Sequence, residues 1–175
     1  MEILNKEIVF KGNWTDTVRA GWENNQKKGY WEYIARKNDR KGVVIIPRYK
    51  KNDQKYYLLI KQFRVPFNDY VIEFPAGLKD DNETIEQCAL RELKEETGAE
   101  GKIIQTTPFL STSSGITNEK ICIVYVEINK IKEQSLDSSE SISLLKIKKE
   151  DVKKFLKESE AVVDSKVWIF FEKIL

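Results

Sequence analysis

The sequence of 175 residues contains no histidine. Without an imidazole, the chain cannot build a Ser-His-Asp or Cys-His nucleophile, a histidine general base or a histidine-ligated zinc site. Any acid–base or metal chemistry must therefore use carboxylates. Cysteine is scarce as well, with Cys88 and Cys122 alone. Two separated cysteines are typical of buried thiols in a reducing compartment rather than of a disulfide framework.

Long apolar runs and a strong net charge are also missing. No segment approaches the roughly 20 apolar residues of a membrane-spanning helix, and the polar start MEILNKEIVF does not resemble a signal peptide. With 30 basic and 28 acidic residues, the formal net charge is +2, which gives no general basis for binding nucleic acid or an anionic membrane. Hydrophobic residues make up 41% of the chain, so we expect a globular protein rather than a disordered one. The two isolated cysteines favour a cytoplasmic location.

The most informative stretch is residues 77–99, GLKDDNETIEQCALRELKEETGA. Residues 83–97 are mostly good helix formers. Asn82 or Thr84 can cap the start of this helix, and Gly98 suits a left-handed C-terminal cap. Apolar residues four positions apart predict a packing stripe on one face: Ile85, Ala89 and Leu93.

Three carboxylates cluster near the end of the same helix, on Glu92, Glu95 and Glu96. Like charges three or four residues apart repel each other, and carboxylates at a helix C-terminus face the unfavourable end of the helix dipole. A hard divalent cation would relieve both penalties, and clustered carboxylates suit Mg²⁺ or Mn²⁺. The alternative, from these residues alone, is a solvated acidic face paired with Arg91 and Lys94.

The wider pattern resembles the Nudix box, which specifies nine positions over 23 residues. The matching positions are Gly77, Glu83, Arg91, Glu92, Leu93, Glu95, Glu96, Gly98 and Ala99. The flanking runs WEYIAR, KQFRVPFNDYVIEFPAG and SSGITNE resemble the ADP-ribose pyrophosphatase group of Nudix hydrolases. The resemblance implies magnesium-dependent hydrolysis of ADP-ribose to AMP and ribose 5-phosphate, by a homodimer that exchanges its N-terminal strands.

The resemblance also assigns metal ligands. Glu92 and Glu96 would bind Mg²⁺, or alternatively Mn²⁺, with the backbone carbonyl of Ala76, and Glu95 would be a further ligand. The bound cations would bridge the diphosphate, neutralise its charge and lower the pKa of water. Glu83 and Arg91, by contrast, are expected to form a structural ion pair at the helix start.

Further positions would bind substrate by the same resemblance: Trp14, Trp31, Glu32, Arg36, Arg64, Glu73 and Gly77. The two tryptophans match aromatic residues that sandwich adenine, one from each subunit, because planar rings stack on a base at little entropic cost. The two arginines would grip phosphate oxygens with their guanidinium forks. Glu32 would hydrogen-bond the adenine edge, and Glu73 would hold the substrate near the metals.

The candidate general base is Glu140, in the polar segment QSLDSSE, where the family's catalytic glutamate lies. A mobile loop could bring this carboxylate to the attacking water once substrate has bound. With Glu92 and Glu96 it makes up the implied catalytic set. The alternative is an ordinary solvated glutamate, in which case Glu119 or Glu133 is the candidate base.

The remaining pattern predicts an α/β fold, a Nudix-type three-layer α/β/α sandwich with a mixed sheet, plus a small N-terminal antiparallel β segment. We expect the segment to comprise residues 1–38, with the Nudix hydrolase domain at residues 39–175. The resemblance implies that the segment serves dimerisation and base binding. The predicted N-terminal strands are residues 7–10, 14–20 and 30–36, with a turn at 23–29. A hairpin of strands 42–49 and 55–64 and helices at 150–157 and 164–174 complete the prediction.

Other functions remain open. The substrate could be another nucleoside diphosphate sugar, a dinucleotide or a flavin. Ser113-Ser114-Gly115 replaces an acidic Asp-Pro-Gly found in a related protein, which leaves the distal sugar undetermined. An isoprenoid diphosphate isomerase is disfavoured because that chemistry uses histidine ligands. A non-catalytic nucleotide-sensing module is disfavoured because all the box carboxylates are present.

Overall fold

The computed structural model describes residues 1–136 and 141–174. The chain forms two compact units. One comprises residues 1–42 and 109–122, and the other comprises residues 43–108 and 123–175. The domain division predicted at residue 38 stays a prediction.

The first unit contains a three-stranded antiparallel sheet in the order β1-β2-β3. Its strands are β1 (Glu2–Lys11), β2 (Thr15–Asn24) and β3 (Lys27–Arg36). The sequence prediction made these strands too short and the turn at 23–29 too long. Asn25 and Gln26 adopt positive φ angles of 48° and 64°, so two residues are enough to reverse the chain. Pairing therefore continues to Asn24 and Lys27. Likewise, β1 pairs with β2 from end to end, well beyond residues 7–10.

The larger sheet has the strand order β12-β6-β5-β4-β10-β8, with β11 paired to β5, β7 to β4 and β9 to β10. The strands are β4 (Gly42–Lys51), β5 (Gln54–Arg64), β6 (Asp69–Glu73), β7 (Ala76–Leu78), β8 (Ala99–Thr106), β9 (Leu110–Ser111), β10 (Lys120–Ile131), β11 (Ile142–Lys148) and β12 (Val162–Val163). The β12–β6 pair is parallel, whereas β5 is antiparallel to β4, β6 and β11. The sheet is therefore mixed, and the predicted β4–β5 hairpin is confirmed.

The helices of the second unit are α1 (Ile85–Thr97), α2 (Val152–Glu158) and α3 (Ser165–Ile174). The predicted start of α2 at residue 150 is early, because residues 149–151 form a separate 3-10 turn. The predicted cap of α3 by Asp164 is present, since the Lys166 N–H donates to Asp164 Oδ1 at 2.7 Å. In the described part of the chain, no helix is both long and apolar enough to cross a membrane.

The core of the second unit lies on both faces of its sheet. Leu58 packs in a buried cluster with Ala89 and Leu93 of α1. Its neighbour Tyr57 makes edge-to-face contacts with Phe170 and Phe171 of α3, with ring centroids 5.6 and 5.0 Å apart. Since successive side chains on a strand point to opposite faces, α1 and α3 cover opposite sides of the sheet. The predicted three-layer fold class is confirmed.

Candidate active site

Helix α1 begins and ends where its sequence contains capping residues. Of the two candidate N-caps, the structure uses Thr84, whose Oγ1 accepts the Gln87 N–H at 3.2 Å while Gln87 Oε1 accepts the Thr84 N–H at 2.8 Å. This capping box starts the helix at Ile85, two residues later than predicted. At the other end, Gly98 adopts φ 66° and donates its N–H to Lys94 O at 2.9 Å. These caps fix which helix positions face β7 and the sheet.

Glu92 and Glu96 of α1 lie against the first two residues of β7. The Ala76 N–H donates to Glu96 Oε2 at 3.0 Å, and Glu96 is only 3% exposed. A Cβ atom on Gly77 would overlap the Glu92 carboxylate, so this close approach requires a glycine. The structure therefore brings together four of the predicted positions. Glu95 is placed differently, because its side chain is 42% exposed.

Arg91 compensates the charge of several neighbouring carboxylates. Its Nη2 and Nε contact the two oxygens of Glu83 at 2.8 and 3.2 Å, which is the predicted ion pair. Its Nη1 bridges Glu92 Oε1 at 2.8 Å and Glu95 Oε2 at 3.0 Å. Hydrogen bonds from Arg91 hold the pKa of Glu83 at about 2, and the same contact with Glu83 raises the pKa of Arg91 above its usual value.

The carboxylates of Glu92, Glu95 and Glu96 form an acidic ridge on α1. With the backbone carbonyl of Ala76, they make a donor set that fits a hard divalent cation. Its oxygens come from carboxylates and a backbone carbonyl, the ligands that Mg²⁺ and Mn²⁺ prefer. Across residues 1–136 and 141–174, no three acidic or cysteine side chains surround one point in a metal-binding arrangement. Instead, the positive guanidinium of Arg91 bridges Glu92 and Glu95, so a cationic group is already accommodated between them. The carboxylates need a positive partner, and the structure supplies one from a side chain.

Arg64 and Glu73, both predicted to bind substrate, bind each other. Arg64 Nε and Nη2 contact Glu73 Oε1 and Oε2, each at 2.7 Å, which is a two-pronged charge-assisted pair. The hydrogen bond to Glu73 raises the pKa of Arg64, and the charges of Glu96 and Asp164 add to this effect. The negative charge of Glu96 on α1 therefore helps to stabilise the protonated Arg64 guanidinium. The sequence contained no signal for this pairing, because the two residues are not direct neighbours in the strand register.

The predicted base-stacking residues lie in the first unit. Trp14 is 78% exposed and Trp31 is 56% exposed. The Trp31 Nε1–H donates to Gly115 O at 2.9 Å, which fixes the indole against the residue 113–115 loop. Both rings present surface that an aromatic ligand could cover.

The other two predicted residues of this unit are engaged in ion pairs that sequence reasoning missed. Arg36 contacts Glu119 Oε1 through Nε at 2.9 Å and through Nη2 at 2.5 Å. Glu32 Oε1 accepts hydrogen bonds from Arg19 at 2.9 and 2.7 Å. The candidate base Glu119 is thus bound to an arginine. Glu140, the first-choice base, lies outside the described residues.

Comparison with known proteins identifies the family. Residues 39–165 match the NUDIX domain family. The chain belongs to the Nudix family. An ADP-ribose pyrophosphatase of Bacillus subtilis is 34% identical, with 93% of this chain and 86% of that protein covered. An ADP-ribose pyrophosphatase of Saccharomyces cerevisiae is 42% identical, but the match covers 60% of this chain and 48% of that protein.

A solved structure agrees with this assignment. The crystal structure of an ADP compounds hydrolase superposes on this Nudix protein with a TM-score of 0.70 and 25% sequence identity, covering 87% of this chain and 82% of that one. The predicted resemblance to Nudix hydrolases and the prediction of an enzyme of this type are confirmed. Nudix hydrolases generally use divalent metal ions.

Proposed function

We propose that this Nudix hydrolase cleaves the diphosphate of ADP-ribose to AMP and ribose 5-phosphate, with Mg²⁺ as its metal. The observation that carries the proposal is the pair of carboxylates held against β7, with Glu96 buried beside Ala76 and Glu92 in contact with Gly77. The relatives named as ADP-ribose pyrophosphatases, from two organisms, support the substrate class.

Four residues would hold the cation in this proposal: Glu92, Glu96, Glu95 and, through its backbone carbonyl, Ala76. When bound, Mg²⁺ or Mn²⁺ would neutralise the diphosphate and make water a better nucleophile. The Ala76 N–H already holds one Glu96 oxygen beside the residue whose backbone carbonyl would be a further ligand. The Arg91 guanidinium would shift from Glu95 toward Glu83 when the cation charge replaces its own.

Arg64 would bind a phosphate oxygen while Glu73 holds it in place. The pair uses Nε and Nη2 of Arg64, so Nη1 is the nitrogen that would contact substrate. A guanidinium fixed by a carboxylate loses less conformational entropy when it binds a phosphate. Glu73 would then act mainly by orienting Arg64.

The first unit would bind the adenine base and one of the two phosphate groups of ADP-ribose. Trp14 and Trp31 would stack on adenine, Glu32 would read its edge, and Arg36 would contact phosphate oxygens. We propose that residues 1–38 also form the dimer contact, with N-terminal strands exchanged between the subunits of a homodimer. The exposed length of β1 supports this part of the proposal.

Glu140 is proposed as the general base. Water would add its oxygen to one phosphorus while the bridging oxygen leaves with the other phosphate group, and Glu140 would accept the proton from water. We also propose a cytoplasmic location. Cys88 and Cys122 are both buried and outside any disulfide, as is usual in a reducing compartment. Burial raises the pKa of the Cys88 thiol to about 12, which keeps that thiol protonated and unreactive.

A substrate panel tests the proposal. Purified protein is incubated with Mg²⁺ or Mn²⁺ and ADP-ribose, other nucleotide sugars, NADH or diadenosine polyphosphates, and the products are separated by chromatography. We expect AMP and ribose 5-phosphate from ADP-ribose, with the highest kcat/KM of the panel. Preference for another nucleoside diphosphate sugar would favour the second candidate function, which the substituted loop at Ser113-Ser114-Gly115 supports. A lack of diphosphate cleavage with either metal would contradict both.

A further inference from the structure

The C-terminal end of α1 is held by a short segment, residues 132–135. The Ser135 N–H donates to the backbone carbonyl of Glu95 at 3.0 Å. The side-chain amide of Gln134 donates to the backbone carbonyl of Glu96. Both acceptors belong to proposed metal ligands, so this segment contacts the main chain of the residues whose side chains form the acidic ridge.

Three further carbonyls near this helix end also accept hydrogen bonds. Thr97 Oγ1 donates to Leu93 O at 2.5 Å, and the Gly98 N–H donates to Lys94 O. The Lys132 N–H donates to Gly98 O at 2.8 Å. A Cβ on Gly98 would overlap Lys132 O, so the glycine permits both the helix cap and the docking of the segment. Carbonyls that a helix leaves unpaired at its end are therefore taken up by named donors.

The three donors from this segment differ in how they depend on sequence. Lys132 and Ser135 use backbone N–H groups, which any residue other than proline would provide. Gln134 uses a side chain, so its contact exists only because glutamine occupies the position. Its amide also places a partial positive charge at the negative end of the helix dipole.

We infer that Gln134 is a positioning residue for the metal site. By donating to the Glu96 carbonyl, its amide fixes the last turn of α1, and with it the side-chain direction of Glu96, in the arrangement that binds a divalent cation. The inference rests on the proposed function, in which Glu96 is a metal ligand. Outer groups that orient ligands in this way typically change metal affinity about 10- to 100-fold when they are removed.

The test is Gln134→Met, which keeps the length of the side chain, adds no charge and removes the donor. Mn²⁺ binding to the full chain is measured by electron paramagnetic resonance without substrate. We expect the Mn²⁺ dissociation constant to rise about tenfold. Gln134→Lys retains a donor of similar length and should restore most of the affinity. The matched control is Gln105→Met, at an exposed glutamine of β8, which should leave Mn²⁺ binding unchanged.

Unchanged Mn²⁺ affinity in Gln134→Met would overturn the inference while leaving the proposed function in place, and so would a lower Tm in EDTA with normal affinity. Gln134→Ala, measured in parallel, decides the question if Gln134→Met does not fold. Failure of the proposed function is distinguishable, because the wild-type protein itself would then bind no Mn²⁺ and cleave no diphosphate.

Discussion

At the scale of single residues, the site is shaped by unequal burial of similar side chains. Glu95 and Glu96 are adjacent carboxylates in one helix, yet Glu96 is enclosed by β7 and Glu95 faces solvent. The spacing of the box predicted that Glu92 and Glu96 share a face. It could not predict their burial, because that depends on where β7 lies, and β7 is placed by its pairing with β4.

The first prediction concerns Glu96→Gln. We expect turnover to fall by about two orders of magnitude or more, because a neutral amide is a poor ligand for a hard cation. The Tm in EDTA should stay level or rise, since burying an amide costs less than burying a carboxylate. Turnover is measured with Mg²⁺ and Tm by calorimetry. Near-normal turnover would exclude Glu96 as a metal ligand.

The second prediction concerns the pH dependence of stability. The pKa of Glu83 is lowered to about 2 by Arg91, so the ionised carboxylate stabilises the folded state above its unfolded pKa near 4.5. This contribution is lost as pH falls from about 4.5 towards 2. In Glu83→Gln we therefore expect a loss of about 1–2 kcal/mol at pH 7 that shrinks over this range.

Urea unfolding at several pH values measures this difference. Glu86→Gln, at an exposed glutamate in the first turn of α1, is the matched control and should show a much smaller effect. A stability difference between wild type and Glu83→Gln that is the same at pH 7 and pH 3 would contradict the assigned ion pair.

At the scale of elements, the ends of α1 were more predictable than the N-terminal strands. Capping residues bond to neighbours three or four positions away, so the caps at Thr84 and Gly98 can be predicted from the local sequence. The length of β1 depends instead on how far its pairing with β2 continues, from Lys11 and Asp16 to Glu2 and Glu23. Its sequence gives no boundary, and the predicted strand at residues 7–10 covers less than half of it.

The third prediction tests the helix start. Thr84→Ala removes the side-chain acceptor for the Gln87 N–H, and we expect a loss of about 1 kcal/mol in the free energy of unfolding. Asn82→Ala changes the other candidate cap suggested by the sequence and should be close to neutral. Chemical denaturation of both variants measures the effect. Equal losses would mean that the capping box does not stabilise the protein.

At the scale of the whole molecule, the notable surface is β1. Its apolar side chains lie on an exposed strand: Ile3, Leu4, Ile8, Val9 and Phe10. An apolar strand of this length is an unusual surface for a monomer and is typical of an interaction site. The fold class followed from periodicity and the box. The oligomeric state could be expected only from the family resemblance, because composition alone cannot tell whether an apolar strand is buried by its own chain or by a partner.

The fourth prediction concerns assembly. Phe10 is 66% exposed, and Phe10→Asp would place a charge in the proposed dimer contact. We expect the wild type to be a dimer by light scattering and Phe10→Asp to be largely monomeric, with weaker nucleotide binding because the second tryptophan is lost. Ile104→Asp, at an exposed apolar residue of β8 in the second unit, is the control and should remain dimeric. A wild-type monomer with full activity would refute the exchanged-strand arrangement.

The exposed indoles of Trp14 and Trp31 give the protein an intrinsic optical reporter. Their emission should be open to quenching by acrylamide in the free protein and shielded once an adenine ring stacks on them. Titration with AMP alone would therefore report adenine stacking on Trp14 and Trp31 without a label, a metal or turnover. Trp31→Ala would remove a defined share of the fluorescence change.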